Sequence, residues 1–281
     1  MKSKEELIDD LLTLAFAEDV GDGDHTTLST IPADAIGRQR LIVKEEGILA
    51  GVDIARRVFE KFDPSLKMEV YIEDGTHVKP GDVAFVVEGP VRSLLQTERT
   101  MLNIMQRMSG VATMTARYQA RLDGLKTKVL DTRKTTPGMR MLEKEAVRIG
   151  GGMNHRIGLF DMILIKDNHV DFAGGIPQAV AAAKDYLKST GKDLKIELEV
   201  RNNDELRQAL EAGVDRIMLD NYTPEATREA VKIIDGRAEV ESSGGITIDT
   251  LRDYAEAGVD FISVGALTHS VKGLDLSFKA C

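Results

Sequence analysis

Residues 206–215 read LRQALEAGVD and residues 251–260 read LRDYAEAGVD, so seven of the ten positions are identical. Each stretch has the pattern of a helix that ends at a glycine and leads into a strand, because glycine readily adopts the left-handed conformation that stops a helix. Strand–helix units that recur in this way are typical of parallel α/β folds, in which they close into a barrel or form an open sheet.

Six short apolar runs alternate with helical patterns after residue 128 and are predicted to form the strands of a parallel sheet. They cover residues 129–130, 162–165, 196–200, 217–219, 238–241 and 261–264. The helices predicted between them include residues 176–189, 204–212, 224–234 and 247–257. Because a complete barrel of this type has about eight strands, the pattern predicts an irregular, incomplete parallel α/β barrel.

The segment before these units has a different pattern. Ser3 and Glu6 have the spacing of a capping box at the start of a helix. Short β-type runs follow at residues 41–43, 70–72 and 83–87, and a helical stretch over residues 94–122 is expected to break at Gly110. We therefore expect an α/β fold with an N-terminal α/β sandwich-like domain (1–110) and a barrel catalytic domain (111–281), with the C-terminal tail packed back on the N-terminal domain.

The composition excludes several classes of protein. With 42% hydrophobic and 30% charged residues the chain is ordinary for a globular protein and not for a disordered one. Its 37 basic and 46 acidic residues give a net charge of −9, which argues against nucleic-acid binding. No apolar run approaches the roughly 18 residues of a membrane span. The acidic N-terminus argues against a secretory signal, and the single cysteine, Cys281, predicts a reduced, cytoplasmic protein.

One segment is basic although the chain is acidic. Between Asp131 and Lys166 there are seven Lys and Arg residues against four acids, a local charge of +3 that leaves −12 for the rest. A basic segment of this kind predicts a small polyanionic ligand, since arginine binds carboxylate and phosphate groups in bidentate fashion. Two of these cations, Lys144 and Arg148, lie on a predicted helix over residues 141–149 and are expected to be surface charges.

Polar residues or glycine-rich turns follow almost every predicted strand, at the end where parallel α/β folds carry their active sites. Glu199 and Asp220 are hard carboxylates on neighbouring strand ends and predict Mg²⁺ that enters with a phosphorylated substrate. Phosphate could be held by Ser243-Gly244-Gly245, with a helix from Thr247 behind it, and by Gly265-Ala266. Lys166 suits either a Schiff-base lysine or a cation for an anionic substrate, and the flanking cations favour the second interpretation.

Three long segments resemble the signature segments of the quinolinate phosphoribosyltransferase family. They read DTRKTTPG at residues 131–138, GGGMNHR at residues 150–156 and IKDNH at residues 165–169. The resemblance includes EDVGDGDHTT at residues 18–27 and ERTMLN at residues 98–103, and it covers nearly the whole chain. It implies the two-domain architecture expected above, assembled as a homodimer at least. The implied reaction joins quinolinate and phosphoribosyl pyrophosphate to give nicotinate mononucleotide, pyrophosphate and CO₂.

The resemblance also implies roles for individual residues. The two carboxylates of quinolinate would be held by Arg133, His155, Arg156 and Lys166. Phosphates would be held by Lys134, Ser243, Gly244, Gly245, Gly265 and Ala266, and Thr132 and Val264 are further substrate-binding positions. Glu199 and Asp220 would hold Mg²⁺ and offset the cationic sugar, so that Lys166, Glu199 and Asp220 are the expected catalytic residues. Arg99 would enter the active site of the neighbouring subunit.

Three alternatives stay open at this point. The first is a related phosphoribosyltransferase that acts on another pyridine or nucleobase acid without decarboxylation. The second is a Schiff-base aldolase that uses Lys166, and the third is a non-catalytic ligand-binding protein. His25, His77 and His269 lack metal-ligand spacing and are expected to be structural, while the role of His169, close to Lys166, is left open.

Overall fold

The computed structural model describes residues 2–281 and divides them into two compact units. The N-terminal unit contains the residues up to Ala116, together with Thr135–Gly151 and Ala266–Cys281. The barrel unit contains Arg117–Lys134 and Gly152–Gly265. None of the helices within residues 2–281 is long and apolar enough to cross a membrane.

Helices and strands alternate along most of the chain. The first half contains α1 (Lys4–Asp19), α2 (His25–Thr30), β1 (Ile36–Val43), β2 (Gly47–Ile48), α3 (Val52–Phe62), β3 (Lys67–Val70), β4 (His77–Val78), β5 (Val83–Pro90), α4 (Val91–Ala120) and β6 (Lys128–Leu130). The second half contains α5 (Arg140–Ile149), β7 (Ile163–Ile165), α6 (Asp167–Ala173), α7 (Ile176–Thr190), β8 (Ile196–Val200), α8 (Asn203–Ala212), β9 (Arg216–Asp220), α9 (Pro224–Ile234), β10 (Glu239–Ser243), α10 (Leu251–Glu256), β11 (Phe261–Ser263), α11 (Ala266–His269) and β12 (Leu276–Ala280).

An antiparallel sheet in the order β12-β1-β5-β3 forms the centre of the N-terminal unit. Phe59 of α3, Phe85 of β5 and Phe278 of β12 are buried against one another, with ring centroids 6.1 to 6.2 Å apart. Burial of these rings between helix and sheet stabilises the unit through the hydrophobic effect. The expected N-terminal α/β domain with its own sheet is confirmed.

The two local predictions for the N-terminal helices have opposite outcomes. The capping box is confirmed, because Ser3 Oγ accepts from the Glu6 N–H at 3.1 Å and Glu6 Oε2 accepts from the Ser3 N–H at 2.7 Å. The predicted break at Gly110 is wrong, because α4 continues through it. A Cβ at Gly110 would lie 2.3 Å from the carbonyl oxygen of Lys272, so this glycine permits close packing and does not end the helix.

The sheet of the barrel unit has six parallel strands in the order β6-β11-β10-β9-β8-β7. Strands β6 and β7 are the two edges and do not pair with each other, so the barrel is not closed. This confirms the expected irregular, incomplete parallel α/β barrel. All six predicted strands are present, and their ends differ from the predicted ones by at most two residues.

The repeated sequence forms the predicted helix ends. Gly213 follows α8 with φ +70°, and Gly258 follows α10 closely with φ +102°. The helix predicted over residues 247–257 is shorter than expected, because α10 begins only at Leu251. The N–H of Thr247 donates to Oγ1 of Thr250 at 3.0 Å, and such a side-chain bond in a β-branched segment competes with helix formation.

One face of the barrel sheet carries ionic residues, and we call it the polar face. It includes Glu197 and Glu199 of β8, Arg216 of β9, and Glu239 and Glu241 of β10, which alternate along their strands. Arg216 pairs with Glu239 at 2.9 Å and with Glu241 at 3.4 Å. The opposite face carries the buried apolar residues Ile196, Leu198, Ile217 and Leu219. The sheet therefore has a hydrophobic core on one side and an ion-pair network on the other.

Candidate active site

Several predicted site residues meet at the carboxyl-terminal edge of the barrel sheet. Lys166 directly follows β7, Glu199 lies near the end of β8, and Asp220 and Ser243 are the last residues of β9 and β10. The strand register pairs Ser243 with Asp220 and Glu199 with Met218. The structure therefore places these side chains on successive strands at one edge of the sheet.

Lys166 and Glu199 form an ion pair at this edge. Lys166 Nζ lies 2.9 Å from Glu199 Oε2, and the side chain of Lys166 is 47% exposed. A lysine that forms an imine is usually buried, because burial lowers the pKa of its amine, and Lys166 is not buried. A cation that binds a substrate must be accessible to it, as Lys166 is. The geometry thus favours the second of the two interpretations that the sequence left open.

His169 supports the main chain of Lys166. Its Nδ1 accepts a hydrogen bond from the Lys166 N–H at 3.0 Å, and its side chain is exposed at the start of α6. This contact fixes the point at which β7 ends and α6 begins. His169 therefore helps to hold Lys166 in place through the backbone.

Asn221 forms a tight corner with Asp220 and Gly244. Asn221 has φ +55°, which is uncommon for a residue other than glycine, and its N–H donates to the carbonyl of Ser243 at 2.9 Å. Its side-chain amide donates to Asp220 Oδ2 at 2.8 Å. A Cβ at Gly244, where φ is +100°, would lie 2.2 Å from Asn221 Oδ1. The corner thus needs glycine at 244 and orients the carboxylate of Asp220.

The predicted phosphate loop is only partly as expected. Gly244 and Gly245 both have positive φ, and such turns expose backbone N–H groups that can bind anions. The helix expected from Thr247 behind them begins four residues later, because α10 starts at Leu251. After β11, Gly265 is half-buried, while the side chain of Val264 is buried in the core. Val264 can therefore contribute only its main chain to a ligand.

The loop after β6 presents two exposed cations, Arg133 and Lys134. Thr132 Oγ1 accepts from the N–H of Lys134 at 3.0 Å and shapes the start of this loop. Arg156 is half-buried, and burial together with the charge of Arg133 lowers the pKa of its guanidinium. Two guanidinium groups that repel each other in the free protein form a favourable site for a dianion.

The segment that carries Arg156 is held by Asp131, which is fully buried at the end of β6. Asp131 Oδ1 accepts from the His155 N–H at 2.9 Å, and Oδ2 accepts from Asn154 Nδ2 at 2.5 Å. A buried carboxylate with two such donors fixes the chain strongly. The backbone of His155 and the side chain of Asn154 are therefore tied to the residue that follows β6.

The ring of His155 is buried over the polar face. Its Nε2 lies 3.0 Å from Glu197 Oε2 and 3.4 Å from Glu241 Oε2, and its side chain is 5% exposed. Its Nδ1 accepts from the Arg156 N–H at 2.7 Å. The structure therefore places His155 among protein groups, although the resemblance implies that it binds a substrate carboxylate.

The three buried groups change one another's pKa. Burial lowers the pKa of His155, but interactions with Glu197 and Glu241 outweigh burial and raise it to about 9. However, the Arg156 N–H, at 2.7 Å, can donate only to an unprotonated Nδ1, so the geometry keeps the ring neutral with its proton on Nε2. Burial and the charge of Glu241 raise the pKa of Glu197 to about 7. Burial also raises the pKa of Glu241, but contacts with His155 and other partners lower it overall.

Three residues of the N-terminal unit also bear on the predictions. Arg99 is exposed on α4. Arg148 is exposed as expected, but the prediction that Lys144 is a surface charge is wrong, because Lys144 is only 2% exposed. Lys144 lies on a strongly amphipathic helix next to the fully buried Glu143, so its position in the helix turns it inward.

Sequence reasoning missed Asp131, Glu197, Glu241 and Asn221 as residues that organise the site. A signal for two of them was present, since Glu197 and Glu241 precede Glu199 and Ser243 by two positions and so share their face of a strand. Two acids on the inner face of a predicted sheet require buried hydrogen-bond donors. The Nε2–H of His155 and the guanidinium of Arg216 provide them.

Comparisons with known proteins agree with this architecture. The N-terminal domain of quinolinate phosphoribosyl transferase matches residues 24–109, and the C-terminal domain of the same family matches residues 111–279. The chloroplastic nicotinate-nucleotide pyrophosphorylase (carboxylating) of Oryza sativa subsp. japonica is 45% identical over 96% of this chain and 76% of its own. A probable nicotinate-nucleotide pyrophosphorylase (carboxylating) of Bacillus subtilis is 43% identical over 95% and 91%.

Solved structures show the same similarity. NadC from Streptococcus pyogenes superposes with a TM-score of 0.93 and 40% identity and covers 99% of this chain and 98% of its own. The nicotinate-nucleotide pyrophosphorylase from Francisella tularensis gives a TM-score of 0.93 and 41% identity over 100% and 98%.

Proposed function

The chain belongs to the quinolinate phosphoribosyltransferase family, and from this premise we propose how its residues carry out the reaction. The enzyme transfers the phosphoribosyl group of phosphoribosyl pyrophosphate to quinolinate and releases pyrophosphate and CO₂. The product, nicotinate mononucleotide, is an intermediate of de novo NAD biosynthesis.

The observation that carries the assignment of the quinolinate site is the half-buried position of Arg156 near the charge of Arg133. Burial and then the charge of Arg133 lower the pKa of Arg156, so binding a dianion between the two guanidinium groups relieves a repulsion. Lys166 adds a third accessible cation at the same edge of the sheet. We assign these three residues to the two carboxylates of quinolinate. Such a fixed array would orient the ring nitrogen toward the ribose.

The phosphoribosyl end of the site is assigned to the loops that follow β6, β9, β10 and β11. Lys134 and the backbone N–H groups of Gly244 and Gly245 suit phosphate oxygens. Ser243 is the last residue of β10, and Gly265 and Ala266 come after the neighbouring strand β11, so they extend the same set. Glu199 and Asp220 supply negative charge near the ribose, which becomes cationic as pyrophosphate departs. Placed charge of this kind is the main source of stabilisation for such a transition state.

The residues at this edge fit a magnesium ion. Glu199 and Asp220 are both carboxylates, and Asn221 orients Asp220 through the hydrogen bond at 2.8 Å. Mg²⁺ prefers oxygen ligands and is usually held by one or two carboxylates together with substrate phosphates. When bound, it would neutralise charge on the departing pyrophosphate. We therefore propose Mg²⁺ as the cofactor, with Glu199 and Asp220 as its protein ligands.

Decarboxylation needs no additional base in this proposal. Once the ring nitrogen is bonded to ribose, the ring carries a positive charge and accepts the electron pair that the adjacent carboxylate leaves behind. Arg133, Arg156 and Lys166 then need only to hold the ring and its remaining carboxylate. The vacated ring carbon takes up a proton to complete the product.

The proposal extends to assembly and location. Arg99 is exposed on α4, as a residue that completes the site of a neighbouring subunit must be. We propose a homodimer with shared active sites, in which Arg99 binds substrate in trans. A cytoplasmic location is proposed from the single cysteine, although relatives from rice and Arabidopsis are named chloroplastic.

The test of the proposed function is release of CO₂ from quinolinate that carries a radiolabelled carboxylate next to the ring nitrogen. We expect release only when phosphoribosyl pyrophosphate and Mg²⁺ are both present, with nicotinate mononucleotide formed in equal amount. Nicotinate offered in place of quinolinate distinguishes the non-decarboxylating alternative. Efficient nucleotide formation from nicotinate, without CO₂ release from quinolinate, would assign the protein to that alternative.

A further inference from the structure

Both nitrogens of the His155 ring face groups of the protein. Nδ1 accepts from the N–H of Arg156 at 2.7 Å, and Nε2 lies 3.0 Å from Glu197 and 3.4 Å from Glu241. Because Nδ1 accepts a hydrogen bond, Nε2 must carry the ring proton and direct it toward the carboxylates. With its side chain 5% exposed, the ring has no nitrogen available for a substrate unless it leaves this position.

Leaving that position would be costly because of Glu197. Among residues 2–281 neither carboxylate oxygen of Glu197 has a hydrogen-bond partner other than the Nε2–H of His155, which lies 3.0 Å from Oε2. A buried carboxylate without a partner destabilises a protein strongly. Glu241 depends on His155 less, since Arg216 lies 3.4 Å from it as well. The polar face therefore holds the ring inward.

The inward ring also fixes Arg156. The backbone of His155 is tied to Asp131 at 2.9 Å, and the backbone of Arg156 is tied to the His155 ring at 2.7 Å. The main chain on both sides of the Cα of His155 is thus fixed to buried groups of the barrel unit. The Arg156 side chain starts from this fixed point.

We infer that His155 is a positioning residue, held by Glu197 and Glu241 so that Arg156 is aimed at a substrate carboxylate, and that it does not bind the substrate itself. This inference rests on the proposed function, because the carboxylate belongs to quinolinate. It assigns a role in substrate affinity to two glutamates on the polar face that have no access to the substrate.

A metal ion is the other cation that this cluster could hold. The ligand atoms of His155, Glu197 and Glu241 lie within 4.8 Å of one another. However, the guanidinium of Arg216 already contacts Glu241, and a second multiply charged cation beside it would be repelled. We therefore assign the cluster to a proton on Nε2 and test the metal separately.

The first test reads the ring directly in the wild-type protein by ¹⁵N NMR of labelled histidine. The chain has five histidines, and the His155 signal is identified by its loss in H155Q. Quinolinate alone, without phosphoribosyl pyrophosphate, is added to saturation. We expect His155 to stay protonated on Nε2 with Nδ1 as acceptor, before and after addition. A change in the partner of either nitrogen on binding would overturn the inference and show direct contact with the ligand.

The second test compares variants by steady-state kinetics and by quinolinate binding. E197Q should raise the KM and Kd for quinolinate by about tenfold or more and leave the KM for phosphoribosyl pyrophosphate within about twofold. E197D, which retains the charge, should recover part of the loss. The matched control is E239Q, because Glu239 lies on the same face and pairs with Arg216 but not with His155. E239Q should leave the quinolinate constants unchanged.

The remaining outcomes decide the inference in either direction. An unchanged quinolinate Kd in E197Q, with H155Q impaired, would overturn it in favour of direct binding by His155. If the protein retained one zinc or other divalent ion per chain after chelation, the inference would be overturned in favour of a metal centre. Failure of the wild-type protein to bind quinolinate would refute the proposed function, while the position of the His155 proton would still be measurable.

Discussion

The ammonium group of Lys166 lies 2.9 Å from Oε2 of Glu199, across the ends of neighbouring strands β7 and β8. In the free enzyme the two groups neutralise each other, although we assign one to the quinolinate carboxylates and the other to Mg²⁺. Binding of both substrates must therefore exchange this contact for two new ones. The ion pair holds both side chains at this edge of the sheet until the ligands bind.

The first prediction is that Lys166 acts by its charge. Borohydride added with quinolinate and phosphoribosyl pyrophosphate should leave no covalent adduct on the protein. K166A should lower kcat/KM by about thirtyfold or more, which corresponds to a loss of ~2 kcal/mol of transition-state stabilisation. Mass spectrometry of the Lys166 peptide is the check, and a trapped, mass-shifted peptide would restore the Schiff-base interpretation.

The second prediction concerns the metal. Excess chelator should abolish activity, and Mg²⁺ or Mn²⁺ should restore it. E199A and D220A should weaken the use of phosphoribosyl pyrophosphate and leave the Kd for quinolinate nearly unchanged, since they serve the pyrophosphate end of the site. Calorimetric titration with quinolinate separates these effects, and full activity in chelator would contradict the metal assignment.

The third prediction isolates the side chain of Asn221. Because glycine adopts φ +55° without cost, N221G should change the unfolding free energy by less than ~1 kcal/mol. It should nevertheless raise the KM for phosphoribosyl pyrophosphate severalfold, since Asp220 loses its donor at 2.8 Å. The matched control is D235G, because Asp235 also has positive φ, +47°, at the end of α9. An equal effect of both changes on KM would contradict the assignment.

The fourth prediction is a fall in stability as the pH rises. Glu197 has an ordinary pKa of 4.5, which folding raises to about 7 because its carboxylate is buried beside Glu241. The folded protein then holds more protons than the unfolded chain, so its unfolding free energy decreases with pH. The contribution of Glu197 is complete below pH 4.5 and is lost as the pH rises through 7.

Urea unfolding across this range measures the effect, which should reach at most about 3 kcal/mol for Glu197. E197Q should have a flatter profile than the wild-type protein between pH 4.5 and 7. A flat profile in the wild-type protein would mean that Glu197 keeps its ordinary pKa in the folded protein.

The fifth prediction is that Arg99 works in trans. R99A and K134A should each be inactive alone, and refolding them together should produce heterodimers with one intact site. Random pairing makes half of the dimers heterodimers, so activity should recover to roughly a quarter of wild type. The check is an activity assay on mixtures in which mass spectrometry shows heterodimers. If activity did not recover although heterodimers were present, Arg99 would act in the site of its own subunit or lie outside any site.

Much of the barrel could be predicted because its signals are local. Alternating strands and helices, together with glycine stops such as Gly213, depend on a few adjacent residues. The start of α10 was missed because the bond between Thr247 and Thr250 competes with a helix that the pattern allows. Gly110 was misread because its partner, Lys272, lies far away in the sequence. A glycine that breaks a helix and one that permits close packing have the same sequence signal.

The orientation of the His155 ring could not be predicted from the sequence, because it also depends on residues that are distant along the chain. The motif that contains it predicts a place near the substrate, but its partners come from β8 and β10. The order and register of these strands determine which groups the ring faces. Asp131 is a similar case, since its role depends on a segment more than twenty residues later in the chain.

The ion-pair network of the polar face constrains how this sequence can diverge. Loss of Glu197 alone leaves the buried Nε2–H of His155 without its nearest acceptor, and loss of His155 alone leaves a buried carboxylate without its donor; either change costs several kcal/mol. Positions 155, 197, 216 and 241 are therefore expected to covary and to be replaced together when they are replaced at all. A descendant that acquired an apolar residue at position 197 would have to change position 155 first or simultaneously. Substitutions on the polar face of this barrel are therefore expected to occur together.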